Sequence, residues 1–257
     1  MGLVTLLSAV ALAVSPQQFL LAHQQPDRGF AEPGGKSDLA LTAWALLGLR
    51  AAGVPADDSY VRARENALQS ANDLALGVLA ETHPSPDLLQ RLERAPTGAA
   101  INATAWKVIA LVQAGRAPPA AAVRFLRAHQ SRDGGWSWAS GVAPDSNDTA
   151  AVIEALRAAG VSGRPIERGL VFLRRLQNRD GGFELVAGRG SDAQSTAWAT
   201  QAFLAARRRP GAAAYRYLAR LRRPDGSYRY SKRYASTPVW VTSQVLPALA
   251  GRAFPLR

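Results

Sequence analysis

Asp145 and Asp148 stand three residues apart at the head of an apolar run, in the segment Asp145-Ser146-Asn147-Asp148-Thr149-Ala150. On one helical turn, two carboxylates at that spacing form a like-charged pair that can share a proton and act as a general acid. The amide of Asn147, between them, cannot act as a Brønsted acid. The same positions suit a helix N-cap and first turn, where an acidic side chain serves only the backbone N–H groups. Other reactive groups are sparse. The chain has no cysteine, so it has no disulfide, thiolate nucleophile or thiolate metal ligand. His23, His83 and His129 are scattered and make no metal-ligand spacing. Neither a cofactor nor a metal is implied.

The carboxylate segment is one copy of something repeated. Asp192-Ala193-Gln194-Ser195-Thr196-Ala197, Asp38-Leu39-Ala40-Leu41-Thr42-Ala43 and Asn102-Ala103-Thr104-Ala105 follow the same pattern, and Ser236-Thr237-Pro238 is a worn version. Trp44, Trp106 and Trp198 lie two residues after their repeat Thr, and Trp240 lies three after Thr237. For aromatics at like positions on like helices, inter-helix packing is the favoured reading; the other is the lining of a cavity, with Asp38, Asn102, Asp145, Asn147, Asp148, Asp192 and Gln194 as a polar ring above it. The backbone N–H groups at such helix starts also favour anionic ligand groups.

A second element precedes each of these. Phe125-Leu126, Gln130, Asp133-Gly134-Gly135 and Trp136 recur as Phe172-Leu173, Gln177, Asp180-Gly181-Gly182 and Phe183. Shorter forms run from Phe19 to Phe30 and from Tyr217 to Tyr228. Each Asp-Gly pair predicts a left-handed turn that ends a helix. The helix before it is amphipathic, with Arg124, Arg127, Arg174 and Arg175 turned to water. The helix after it is apolar nearly all round and must be buried on more than one face. Alternating outer and inner helices of this kind bury a continuous core only when stacked. The expectation is an all-α chain of about five helical hairpins curving round a central cavity, partial or closed as a ring. Residues 60–96 fill a long first interval with a degenerate hairpin, helical over Asp73 to Glu81. The stacked domain spans residues 15–257.

In these segments the chain resembles the QW, or prenyltransferase/squalene oxidase, repeat of terpenoid cyclases and protein prenyltransferases, whose fold is the α/α toroid. The resemblance covers most of residues 15 to 250. It gives Gln130, Trp136, Gln177 and Phe183 a structural role, stapling the ends of neighbouring helices. It also supplies a test for catalysis. Class II cyclases protonate their substrate with an Asp-x-Asp-Asp-Thr-Ala motif, and this chain has Asn147 where the donor aspartate stands. Asp145 or Asp148 would have to take over that role. The zinc ligands of protein prenyltransferases require a cysteine this chain lacks. Asp57-Asp58-Ser59-Tyr60-Val61 lacks the last acid of the ionisation-type Asp-Asp-x-x-Asp motif.

The expectation for function is therefore a non-catalytic module that binds an apolar or planar small molecule, isoprenoid or corrinoid-like, in its cavity. A cyclase of the squalene-hopene type with a degenerate acid motif and a protein-interaction scaffold are the alternatives. The chain of 257 residues is 47% hydrophobic and carries a net charge of +12, nearly all of its basicity from arginine. Ten basic residues and one acid lie between Arg207 and Arg233, interleaved with tyrosines. That stretch is expected to face solvent, or an anionic membrane surface. Nucleic acid is disfavoured, since no nucleic-acid motif accompanies it. Residues 1–14 are almost wholly apolar and too short to span a bilayer. With Ala11-Leu12-Ala13 they resemble a signal segment, although no basic residue precedes the run. They point to a secreted or extracytoplasmic protein, with a first apolar helix in a cytoplasmic one as the alternative.

Overall fold

The computed structural model describes residues 14–96, 98 and 100–256; the apolar run before Val14 lies outside them. The helices form two concentric layers. The inner layer comprises α2 (Leu39–Ala51), α4 (Ala71–Ala80), α6 (Ile101–Gln113), α8 (Ser146–Ala158), α10 (Ala193–Ala205) and α12 (Pro238–Leu249). The outer layer comprises α1 (Pro16–Ala22), α3 (Ser59–Arg62), α5 (Pro86–Arg94), α7 (Ala120–Ala128), α9 (Arg164–Arg175) and α11 (Ala212–Leu221). Each inner helix packs on the next, and α12 packs on α2, so the inner ring is closed. The hairpin from residues 59 to 94 completes it as a sixth unit. None of the described helices is long and apolar enough to cross a membrane.

One unit is held together by a short set of hydrogen bonds. The aromatic after each turn donates its backbone N–H to the hydroxyl of the repeat threonine: Phe30 to Thr42 and Trp136 to Thr149 at 2.8 Å, Phe183 to Thr196 and Tyr228 to Thr242 at 2.9 Å. The threonine is thus the point where the loop is pinned to the inner helix. This register corrects one assignment. Thr237 is not the threonine of the last unit; it precedes α12 with φ 47°, and Thr242 does the pinning. In each turn the aspartate, Asp27, Asp133, Asp180 or Asp225, accepts from the backbone N–H two residues on, at 3.0–3.1 Å.

Units are joined by close backbone approach. Gly181 has φ 89°, and a Cβ there would lie 2.6 Å from the carbonyl oxygen of Ala213 at the start of α11. Gly134 meets Arg168 in the same way. Gly226 meets Ser15 beside α1, which closes the outer ring. The turn glycine is required for packing as well as for its left-handed conformation. On the inner side, the loop carbonyls of Trp138, Leu185 and Tyr230 accept from the first N–H of the preceding inner helix, at Ile101, Ser146 and Ala193.

At the junction that shuts the ring a side chain takes over this task. The Glu32 carboxylate accepts from Val239 N at 2.9 Å and from Trp240 N at 2.8 Å, where α12 begins. A carboxylate on two helix-terminal donors makes charge-assisted bonds at the positive end of the helix dipole. Glu32→Ala is expected to lower stability by about 2–3 kcal/mol, with Glu32→Gln losing less; urea unfolding of the two variants measures this.

Candidate functional site

Counting from the threonine pins puts the interior into layers. Two residues after the pin stand Trp44, Trp106, Ala151, Trp198 and Gln244. Two residues before it stand Ala40, Asn102, Asn147, Gln194 and Trp240, all half-buried. Trp240 therefore belongs one turn nearer the helix N-termini than the other three tryptophans. That position follows from Thr242, and not Thr237, being the pin.

The four rings meet. Trp44 is 5.5 Å from Trp106, 5.7 Å from Trp198 and 6.1 Å from Trp240, centroid to centroid. Trp106 and Trp198 lie 5.2 Å apart, nearly perpendicular. Helices α2, α6 and α10 are not neighbours in the ring, so their side chains touch only across its axis. Edge-to-face contact of this kind adds attraction beyond burial, because ring edges and faces carry opposite charge. Phe254, from the segment after α12, enters at 5.7 Å from Trp106 and 6.2 Å from Trp44. Its backbone N–H donates to Glu154 at 2.6 Å, and Leu256 N–H donates to Gln113 at 3.0 Å. The axis is thus filled by aromatic rings and stoppered at the C-terminal end of the inner helices. Trp44 and Trp106 retain 8% exposure and Trp198 6%, where neighbouring helix residues such as Leu47 and Ala105 have none.

The acid pair lies at the N-terminal mouth. Asp145 caps α8 by accepting from Asp148 N at 2.8 Å. The Asp148 side chain leaves α8 and meets α6, where Asn102 Nδ2 donates to it at 2.5 Å. Burial first, and the neighbouring Asp145 carboxyl second, push Asp148 up to about 8. It therefore holds a proton at neutral pH. Asp192 is buried and also raised by its burial, but both its oxygens are taken by Ser195, from the backbone N at 2.7 Å and the hydroxyl at 2.9 Å. It acts as a cap, while Gln194 and Asn147 remain on the mouth.

A third titratable group was not singled out from the sequence. Glu154 on α8 is fully buried and pushed well above the usual carboxyl range by that burial. One oxygen receives Phe254 N; the other has no hydrogen-bond partner among the described residues. Its only sequence signal is a lone acid in an apolar inner helix.

The repeat residues are placed as staples. Gln130 Nε2 donates to the carbonyls of Gly134 and of Pro165 in α9, both at 2.8 Å. Gln177 Nε2 donates to Gly181 O at 3.0 Å. Trp136 and Phe183 are fully buried, and the Trp136 indole donates to Leu126 O. Five of the ten basic residues of the Arg207–Arg233 stretch contact the protein itself. Arg208 pairs with Glu167, Arg223 with Asp225 and Lys232 with Asp180, while Arg220 and Arg222 donate to the carbonyls of Asp180 and Val14.

Solved structures with the same double ring include a type II terpene cyclase from Scytonema in complex with the substrate geranylgeranyl dihydroxybenzoate. It is 16% identical, with a TM-score of 0.60 over 92% of this chain and 95% of that one. The fold is the α/α toroid. A glycosidase shares it at 12% identity and a TM-score of 0.63, over 92% and 94% of the two chains. So does an ent-copalyl diphosphate synthase from Streptomyces platensis, at 19% identity and a TM-score of 0.60 over 83% of this toroid. This toroid spans half the length of that synthase. No protein-family model and no curated protein matches the sequence. One toroid architecture thus carries isoprenoid and glycoside chemistry alike, and the choice between functions rests on the site.

Proposed function

We propose that this toroid is a non-catalytic module that binds an apolar or planar small molecule, isoprenoid or corrinoid-like, at the N-terminal mouth of its inner ring. The observation that supports this reading is the layering of the mouth. Asn102, Asn147 and Gln194 stand half-buried one turn above Trp106 and Trp198, in the same layer as Trp240. Apolar walls with a few convergent amides suit a ligand that is mostly hydrocarbon and oriented by one or two polar atoms. Cyclisation of a polyprene needs more: a water-free chamber beneath the acid that can hold the folded chain. Here that space is taken by Trp44, Trp106, Trp198 and Phe254.

Asp148 favours a second reading, a cyclase with a displaced acid. Its carboxyl keeps a proton at neutral pH, as a general acid must. Incubation with squalene and shorter polyprenyl substrates separates the two. The binding reading expects these compounds to be recovered unchanged. Cyclic products whose formation is lost in Asp148→Asn would overturn it and make the toroid an enzyme.

A further inference from the structure

The outer helices of the fourth and fifth units frame a groove that has nothing to do with the axis. It has a volume of about 640 Å³ and lies between α7 and α9, lined by Arg124, Arg127, Gln130, Arg164, Pro165 and Arg168. Four guanidinium groups share it, and no carboxylate lines it. Arg168 is committed to the fold, donating to the carbonyls of Ser131 and Arg132 at 2.8 Å. Arg124, Arg127 and Arg164 are exposed and have no ion pair or side-chain hydrogen bond among the described residues. Glu167, the acid nearest in the chain, is engaged by Arg208 at 2.8 Å.

The floor adds positive potential of its own. Arg164 and Pro165 open α9, and its N-cap, Gly163, contributes no capping side chain. Gln130 fixes this helix start in place by its bond to Pro165 O. Like charges held together without counter-charge repel one another, and a bound multivalent anion removes that repulsion. Guanidinium forks match tetrahedral oxyanions in geometry as well as in charge. The groove holds no aromatic side chain on which a nucleic-acid base could stack.

We propose that the α7–α9 groove is a binding site for a multivalent oxyanion of the phosphate class, either free or as a lipid headgroup. The test uses the full chain and two variants at matched ionic strength. One is the double variant Arg127→Glu with Arg164→Glu. The other is the double variant Lys36→Glu with Arg179→Glu, two exposed basic residues outside the groove that match the change in net charge. Titration with inorganic pyrophosphate is expected to give saturable binding that weakens at least tenfold in the groove variant and is unchanged in the charge-matched variant. Phosphatidylcholine vesicles with and without a phosphoinositide distinguish the sources. Groove-dependent vesicle binding assigns a headgroup; groove-dependent binding of pyrophosphate alone assigns a soluble anion. No saturable binding to either probe, or equal weakening in both variants, overturns the proposal.

Discussion

Phe254→Ala is expected to destabilise the toroid by about 3–5 kcal/mol, although the residue belongs to no helix. Its ring fills the space beneath Trp44 and Trp106, and the walls of a closed six-helix ring cannot collapse inward to refill it. The loss has two parts, the transfer free energy of the ring and the void that remains. The indoles, no longer covered from below, should also become more accessible to solvent. Urea unfolding gives the first quantity, and a red shift of tryptophan emission in the folded variant gives the second. Phe254→Leu keeps most of the volume and should lose well under half as much. A Phe254→Ala variant as stable as the parent would mean that the segment after α12 lies elsewhere in solution.

Asp148 makes the next largest prediction, and its sign follows from proton counting. The folded carboxyl titrates at about 8, the unfolded one near an ordinary value of about 4. Between those limits the folded state holds a proton that the unfolded state has released. Stability therefore falls as pH rises. Below the lower limit both states are protonated, and the contribution is fully present. It is lost as pH passes through the upper limit. Asp148→Asn keeps the shape and the contact with Asn102 but cannot ionise. Its stability relative to the parent is expected to be nearly constant below pH 4 and to climb steadily up to pH 8. Parallel pH profiles of Tm for the two proteins would show that Asp148 is not held protonated. Glu154 acts in the same direction in both proteins and cancels in the comparison.

How far the sequence disclosed these features depends on whether each is local or assembled. The repeat is local: an aromatic, a glutamine, an Asp-Gly turn and a threonine follow one another within one unit, and each proves to be half of a hydrogen bond in that unit. The hairpin at residues 59–94 was legible only as a degenerate one, for physical reasons. Leu74 stands where other inner helices have the pinning threonine, and α3 is a single turn. The last unit was misread by five residues because Thr237 imitates the pin that Thr242 provides. That shift puts Trp240 one layer from the other three tryptophans, and the four rings pack on one another across the axis. Closure of the ring was not legible, since it rests on Glu32 meeting α12 from the far end of the chain. The stopper was not legible either, because Phe254 follows the last repeat and has no counterpart in it. The groove arginines come from two helices some forty residues apart, whereas half of the basic stretch that stood out in the sequence is engaged in contacts within the protein.

The binding of one small molecule at the N-terminal mouth is most directly tested by native mass spectrometry. The protein is weighed as purified, after lipid extraction, and after squalene is returned to it, alongside Trp240→Ala. The account predicts a single ligand per chain, removed by extraction or restored by squalene, and much reduced in Trp240→Ala, whose fold should persist because that residue is only half-buried. A chain that takes up no ligand in any of these states, or takes it up equally well without the Trp240 ring, would contradict it.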